Sequence, residues 1–226
     1  MHPPFTSEQF FEVFRHYNET VWPVQIVLVV VGLVTVVAAY RANALGCRRW
    51  AQAAILLLAV LWLWTGMVYH YTFFATITPA GKVFAAFCVA QAGVLLFCAW
   101  RSSAVSEPAT RPSMIAGAIL LVYALVLYPL LGIALGHRYP STPSFGAPCP
   151  TTIFTFGIFC LLPRTVRRFA LAIPVLWAVI GSSAILTFGM REDVGLAISA
   201  AAAIAVMVRE GHRGGVIGAL ATSAPR

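Results

Sequence analysis

Residues 22–40 read WPVQIVLVVVGLVTVVAAY, a run without one Asp, Glu, Lys or Arg. At 1.5 Å of rise per residue, a helix of that length covers about 28 Å, close to the roughly 30 Å of a bilayer's hydrocarbon core. Such a run reads as a membrane-spanning helix. The pattern recurs at 51–68, 83–100, 114–135, 149–162, 169–190 and 194–208, and the connections between the runs hold nearly all the charge. Composition agrees, since 60% of the 226 residues are hydrophobic and 10% charged, where a soluble domain carries about 25% charge. The expected fold is an all-α membrane protein, a bundle of seven transmembrane helices with an outer N-terminal amphipathic helix. It forms one domain, 1–226, made of an outer interfacial segment (1–20), the bundle (22–208) and a cytoplasmic tail (209–226), with no room for a separate soluble catalytic domain.

Orientation follows from the basic residues, which accumulate on the cytoplasmic side of short loops. Seven crossings put Arg41, Arg48, Arg49, Arg101, Arg111, Arg164, Arg167, Arg168, Arg209, Arg213 and Arg226 on one side, and leave Arg15, Lys82, Arg138 and Arg191 with Glu8, Glu12, Glu19, Glu192 and Asp193 on the other. The fifth run is short, about 21 Å as a helix, and could be re-entrant. Without that crossing the basic residues scatter to both sides, so seven crossings are expected, N-terminus outside and C-terminus cytoplasmic, in a bacterial inner membrane. The N-terminus lacks the basic region and immediate apolar stretch of a cleavable signal peptide, which leaves the first spanning helix to direct insertion. The tail is rich in Gly and Ala and reads as flexible.

Upstream of the first run, Phe10, Phe14 and Tyr17 recur at helical spacing, and Glu8, Glu12, Arg15 and Glu19 form the opposite stripe. This predicts an amphipathic helix lying flat on the outer surface; a lid over an outer cavity is the alternative. In the last run, Gly195, Ser199 and Ala203 recur every fourth residue, as helices that pack closely require.

No Asp or Glu falls inside a run, and the single lysine, Lys82, sits at the edge of the third. That excludes a retinal protein with a Schiff-base lysine in its last helix, and carboxylate proton relays of the usual pump type. Polarity within the runs is limited to Gln25, Gln52, Gln91, scattered Ser and Thr, and cysteines. The five cysteines form no CxxC pair and no zinc-like spacing, and no disulfide framework is expected.

The unusual residues gather at the outer ends of the runs. Tyr69-His70-Tyr71 closes the second run. Gly136-His137-Arg138-Tyr139 closes the fourth, in which Pro129 could introduce a bend, and a proline-rich loop leads from Pro140 to Thr152. Proline fixes φ and restricts the residue before it, so this loop should be ordered. Cys149 would be an N-cap ahead of Pro150, where amide donors favour a thiolate. His70, His137 and Cys149 together supply the ligands that copper or zinc prefers. Lys82, Arg138, Thr151 and Thr152, at a helix N-terminus, would instead suit an anion. Packing and snorkelling are the plain alternatives for each set.

Three stretches carry a resemblance: Tyr17-Asn18 with Val21-Trp22-Pro23 and Gln25; Tyr69-His70-Tyr71 with Phe73-Phe74 and Thr78-Pro79-Ala80; and Gly136 to Pro140 continued by Phe145 to Gly157. Over most of its length the chain resembles a bacterial family of small multi-pass membrane proteins of unknown function, some of them loosely labelled transporter permease. The resemblance implies an integral membrane fold and carries no catalytic residue. The first functional reading is binding or transport of a small ligand or soft metal ion at the outer face; a membrane enzyme using Cys149 or a bound metal, and a non-catalytic assembly subunit, stay open. The expected partners are the lipid bilayer and a small molecule or ion, with a homo-oligomer possible and nucleic acid excluded.

Overall fold

The computed structural model describes residues 4–101, 108–162 and 170–222, which are helical apart from their connections. The order is α1 (Ser7–Val21), α2 (Val24–Leu45), α3 (Arg48–Trp64), α4 (Ala80–Arg101), α5 (Arg111–Val122), α6 (Tyr128–Ala134), α7 (Pro148–Leu161), α8 (Ala172–Phe188) and α9 (Val194–Thr222). Four segments are long and apolar enough to cross a membrane: Val24–Leu45, Arg48–Thr76, Ala80–Arg101 and Arg111–Ala134. The helices Pro148–Leu161 and Ala172–Phe188 are apolar but shorter. Arg164, Arg167, Arg168 and Arg226, members of the basic set, lie outside the described residues.

Two boundaries and one internal segment add to or differ from expectation. The sequence ends the second apolar run near residue 68, yet α3 continues as a π-helix, Thr65–Phe73, and a 3₁₀ turn, Phe74–Thr76. His70 therefore stands inside a helical segment that runs on past it to Thr76, not at the helix exit expected for it. The fourth run carries a second π segment, Tyr123–Leu127, directly before Pro129. Proline cannot donate to the preceding turn, and a widened turn accommodates the missing bond. The third difference is the tail, where α9 remains helical to Thr222 instead of dissolving after residue 208.

The short α7 is the centre of the molecule. It packs against α2, α3, α5, α8 and α9, and every residue from Pro150 to Leu161 is buried. A helix that is apolar on all sides belongs in an interior, which accounts for a segment so apolar and yet so short. Close approach at the α5–α7 crossing requires glycine: a Cβ on Gly157 would stand 2.8 Å from Leu121 Cγ, and one on Gly117 2.9 Å from the Gly157 carbonyl oxygen. Interhelical hydrogen bonds supplement packing. Trp62 Nε1 donates to Thr155 Oγ1 (2.9 Å), Ser113 Oγ to the Cys160 carbonyl (2.7 Å), Gln52 Nε2 to the Ala99 carbonyl (2.9 Å) and Gln91 Nε2 to the Ala170 carbonyl (2.8 Å). Two of the glutamines that the apolar runs carry are thus ties between helices or to a connection. The small-residue stripe of α9 is a packing feature, because the Tyr123 ring lies directly on Gly195, while Ser199 and Ala203 are buried. Valines 27, 30, 34 and 37 of α2 face outward.

Candidate functional site

α1 begins with a capping box: the Thr6 hydroxyl accepts from Gln9 N, and the Gln9 side chain accepts from Thr6 N. Its charged stripe is exposed, with Arg15 Nε donating to Glu12 at 2.7 Å. The aromatic stripe, expected to rest on lipid, is buried against protein instead. Phe10 stacks on Phe188 of α8 (4.3 Å between centroids), Phe14 on Tyr69 (5.5 Å), and Tyr17 accepts a hydrogen bond from Trp64 Nε1 (2.9 Å). The helix covers one end of the bundle.

Asn18 fastens this cover. Fully buried, it donates from Nδ2 to the carbonyls of Pro140 (2.6 Å) and Thr142 (2.8 Å), and its Oδ1 accepts from Ser144 Oγ (2.6 Å). Its main-chain carbonyl accepts from Gln25 Nε2 (2.9 Å) and Tyr139 Oη (3.2 Å). Thr65 adds a bond to the Gly146 carbonyl (3.0 Å), and Phe145 packs on Phe154. These bonds tie the proline-rich loop to α1 and to the end of α3.

Beneath α1 lies a cavity of about 460 Å³. Its walls come from α1, the Thr65–Phe73 segment, the first turns of α4 and α7, the second half of α8, and the 3₁₀ turn Arg191–Asp193. These are helix ends of one side of the bundle. Aromatic rings dominate the surface, Phe10, Phe14, Tyr69, Phe74, Phe84 and Trp177 among them. Its titratable groups besides Tyr69 are His70, Cys149 and Asp193, and the hydroxyls of Thr78, Ser183 and Thr187 also line it. His70 is 1% exposed, lies 4.9 Å from the Trp177 ring, and has no hydrogen-bond partner at either ring nitrogen among the described residues. An unpaired buried polar group costs about 1–3 kcal/mol, and the cavity is the space from which a partner can come.

Asp193 is also 1% exposed. Tyr128 Oη donates to its Oδ1 (2.7 Å) and the Cys149 thiol to its Oδ2 (3.5 Å). Burial, the largest influence, and the neighbouring Glu192 raise its pKa, the two hydrogen bonds oppose them, and the result is a carboxyl pushed up to about 7. Glu192 is buried as well. Its Oε1 lies 2.8 Å from His137 Nδ1, its main-chain carbonyl accepts from Tyr123 Oη (2.7 Å), and its Oε2 has no partner among the described residues.

The residues singled out in the sequence divide among several places. His70 and Cys149 share the cavity, whereas His137 stands apart on Glu192, beneath the Phe11 ring at 4.9 Å. Among the described residues no group of three His, Cys, Asp or Glu is placed to hold a metal ion. Lys82 and Arg138 are exposed, while Thr151 and Thr152 are buried inside the bundle, and none of the four lines the cavity. Thr152 Oγ1 bonds back to the Pro148 carbonyl (2.8 Å). The N-cap of α7 is Ala147, two residues before the expected Cys149, so Cys149 lies within the first turn. There its thiol donates to a carboxylate, the arrangement of a protonated sulfur and not of the expected thiolate. A membrane-impermeant maleimide is accordingly expected to label Cys149 at least about tenfold more slowly than an exposed control cysteine near neutral pH; equal rates would contradict the contact with Asp193.

Asp193, Glu192, Tyr128 and Trp177 were not singled out by the sequence. The available signal was the tripeptide Arg191-Glu192-Asp193 squeezed between two apolar helices, a connection too short to carry both carboxylates away from the bundle.

The fold and site define an all-helical bundle with a covered aromatic cavity at one end and helices compatible with a membrane. The chain belongs to a family of unknown function, DUF6064, whose match covers residues 7–216. No curated protein and no solved structure matches it.

Proposed function

We propose that this chain is a seven-span membrane protein, N-terminus outside, that binds a small and mostly apolar molecule in the cavity beneath α1. The observation that carries the reading is His70, an imidazole with two unpaired nitrogens in an aromatic wall. Ligand cavities combine a large apolar surface with a few polar groups that orient the occupant, and His70, Cys149 and Asp193 fill that role here. A small molecule suits such walls better than a soft metal ion, for which no group of three His, Cys, Asp or Glu is placed among the described residues. The distribution of basic residues supports the orientation, and with it a cavity at the outer face.

Two measurements test this. Reporter fusions after Arg49, Ala104 and Arg168 are expected to behave as cytoplasmic, and a periplasmic signal from the last would remove the fifth crossing. Radiolabelled tert-butylbenzene is expected to bind the full chain in nanodiscs above the level of empty nanodiscs. Replacing Ala184, which lines the cavity, with Phe should lower that binding by about tenfold or more, because one side chain then fills part of the space. Binding that ignores Ala184→Phe would place the probe elsewhere and defeat the proposal.

A further inference from the structure

Among the described residues, one carboxyl at the cavity has no counterion. Asp193 faces the cavity, and its hydrogen-bond donors among the described residues are the uncharged Tyr128 and Cys149. Among the described residues no Lys or Arg lines the cavity, and Arg191, on the same turn, is exposed. The other groups around Asp193 bring no positive charge into the cavity: Tyr69 and His70 from the π segment, Tyr123 beside Tyr128, and Glu192, which takes up His137 on its far side. A buried carboxylate without a counterion is expensive. The cavity supplies the missing environment for one, since aromatic faces attract a cation through the ring quadrupole and recognise ammonium groups in this way.

Resting on the cavity reading, we propose that the ligand is a lipophilic organic cation, an amine or quaternary ammonium with an apolar body, whose charged nitrogen pairs with Asp193 among the aromatic walls. The apolar body lies along Phe10, Phe14 and Phe188 beneath α1. An N–H group, where the ligand has one, can donate to His70. An anionic ligand would meet Asp193 with Glu192 behind it, and an inorganic cation would exchange its hydration shell for phenyl rings. Pairing requires the ionised carboxylate, so affinity for a permanent cation rises as pH rises through the titration of Asp193, near 7.

The test compares phenyltrimethylammonium with its neutral isostere tert-butylbenzene, both radiolabelled, on the full chain in nanodiscs. The cation is expected to bind about tenfold or more tightly at about pH 8.5 than at about pH 5, a change of the size a desolvated cation site gives. Asp193→Asn should lose that preference and become indifferent to pH, while tert-butylbenzene changes by less than about threefold in every arm. If the cation shows no pH dependence in the wild-type chain, or if Asp193→Asn binds it unchanged, the inference is overturned, and continued binding of tert-butylbenzene leaves the apolar cavity standing. If neither probe binds, both readings fall together. The wild-type pH arm needs no variant, so a poorly folding Asp193→Asn would not shield the proposal.

Discussion

Asn18→Ala is expected to destabilise the chain by about 3–5 kcal/mol and to open the proline-rich loop to trypsin at Arg138. The substitution removes the donor to the Pro140 and Thr142 carbonyls and the acceptor for Ser144 Oγ, three bonds of 2.6–2.8 Å. Each partner left unsatisfied in a buried position costs about 1–3 kcal/mol, with some relief as water enters the loop. Arg138 is already exposed, so slow cleavage there in the wild-type chain is expected to depend on the bonds that hold the loop and not on concealment of the side chain. Asn18→Asp isolates the role of the donor: it keeps an acceptor for Ser144 but turns an oxygen toward two carbonyls, and should rescue little. Thermal unfolding in detergent and timed proteolysis read the two effects. A loss under about 1 kcal/mol for Asn18→Ala would mean that the loop is held by Phe145 and Thr65 and that Asn18 is incidental.

The same residue shows how far the sequence could be read. Tyr17-Asn18, Gln25 and the stretch beginning at Gly136 are recognisable as familiar segments, but nothing in their spacing says that they meet; 122 residues separate Asn18 from Pro140. Runs of apolar residues are legible because lipid and bundle interiors impose a length and a composition on each helix separately. The amphipathic period of α1 is legible for the same reason. Which surface its aromatic face covers is not, since Phe10 and Phe14 satisfy a bilayer interface and a protein cleft equally well. The structure decides it through Phe188 and Tyr69.

Site chemistry is harder to read because topology sorts charges by the connection that holds them. Residues 191–193 form a connection, and charges in connections are normally solvated; that logic hides the burial of Glu192 and Asp193, which tertiary packing with Tyr123, Tyr128 and Cys149 brings about. His70 is legible as unusual but falls at an expected helix exit, because the π segment that keeps it in the wall has no sequence signature comparable to a cap or a proline. His70, His137 and Cys149 look like a ligand set on account of their chemistry. In the fold, the Glu192–Asp193 turn stands between them, taking His137 on one carboxylate and Cys149 on the next.

The buried Asp193 also makes stability depend on pH. In the unfolded chain its carboxyl titrates at the ordinary 3.8, whereas in the folded chain it is pushed up to about 7. Folding therefore favours the protonated form. The contribution is complete below about pH 4 and declines as pH rises, until the carboxylate is ionised in both states above about pH 7; a rise of that size corresponds to about 4 kcal/mol across the window. Asparagine resembles the neutral acid in shape and cannot ionise, so Asp193→Asn should match the wild-type chain near pH 4 and exceed its stability at pH 8. The comparison to make is the difference in Tm between the two chains, measured in detergent at a series of pH values, because subtraction removes the titration of every other group. A difference that stays constant with pH would show that water or a rearranged turn keeps Asp193 solvated. A difference that grows with pH, and then shrinks again when phenyltrimethylammonium is added at pH 8, would tie the stability of the turn to occupation of the cavity, since a bound cation supplies the charge that the folded carboxylate lacks.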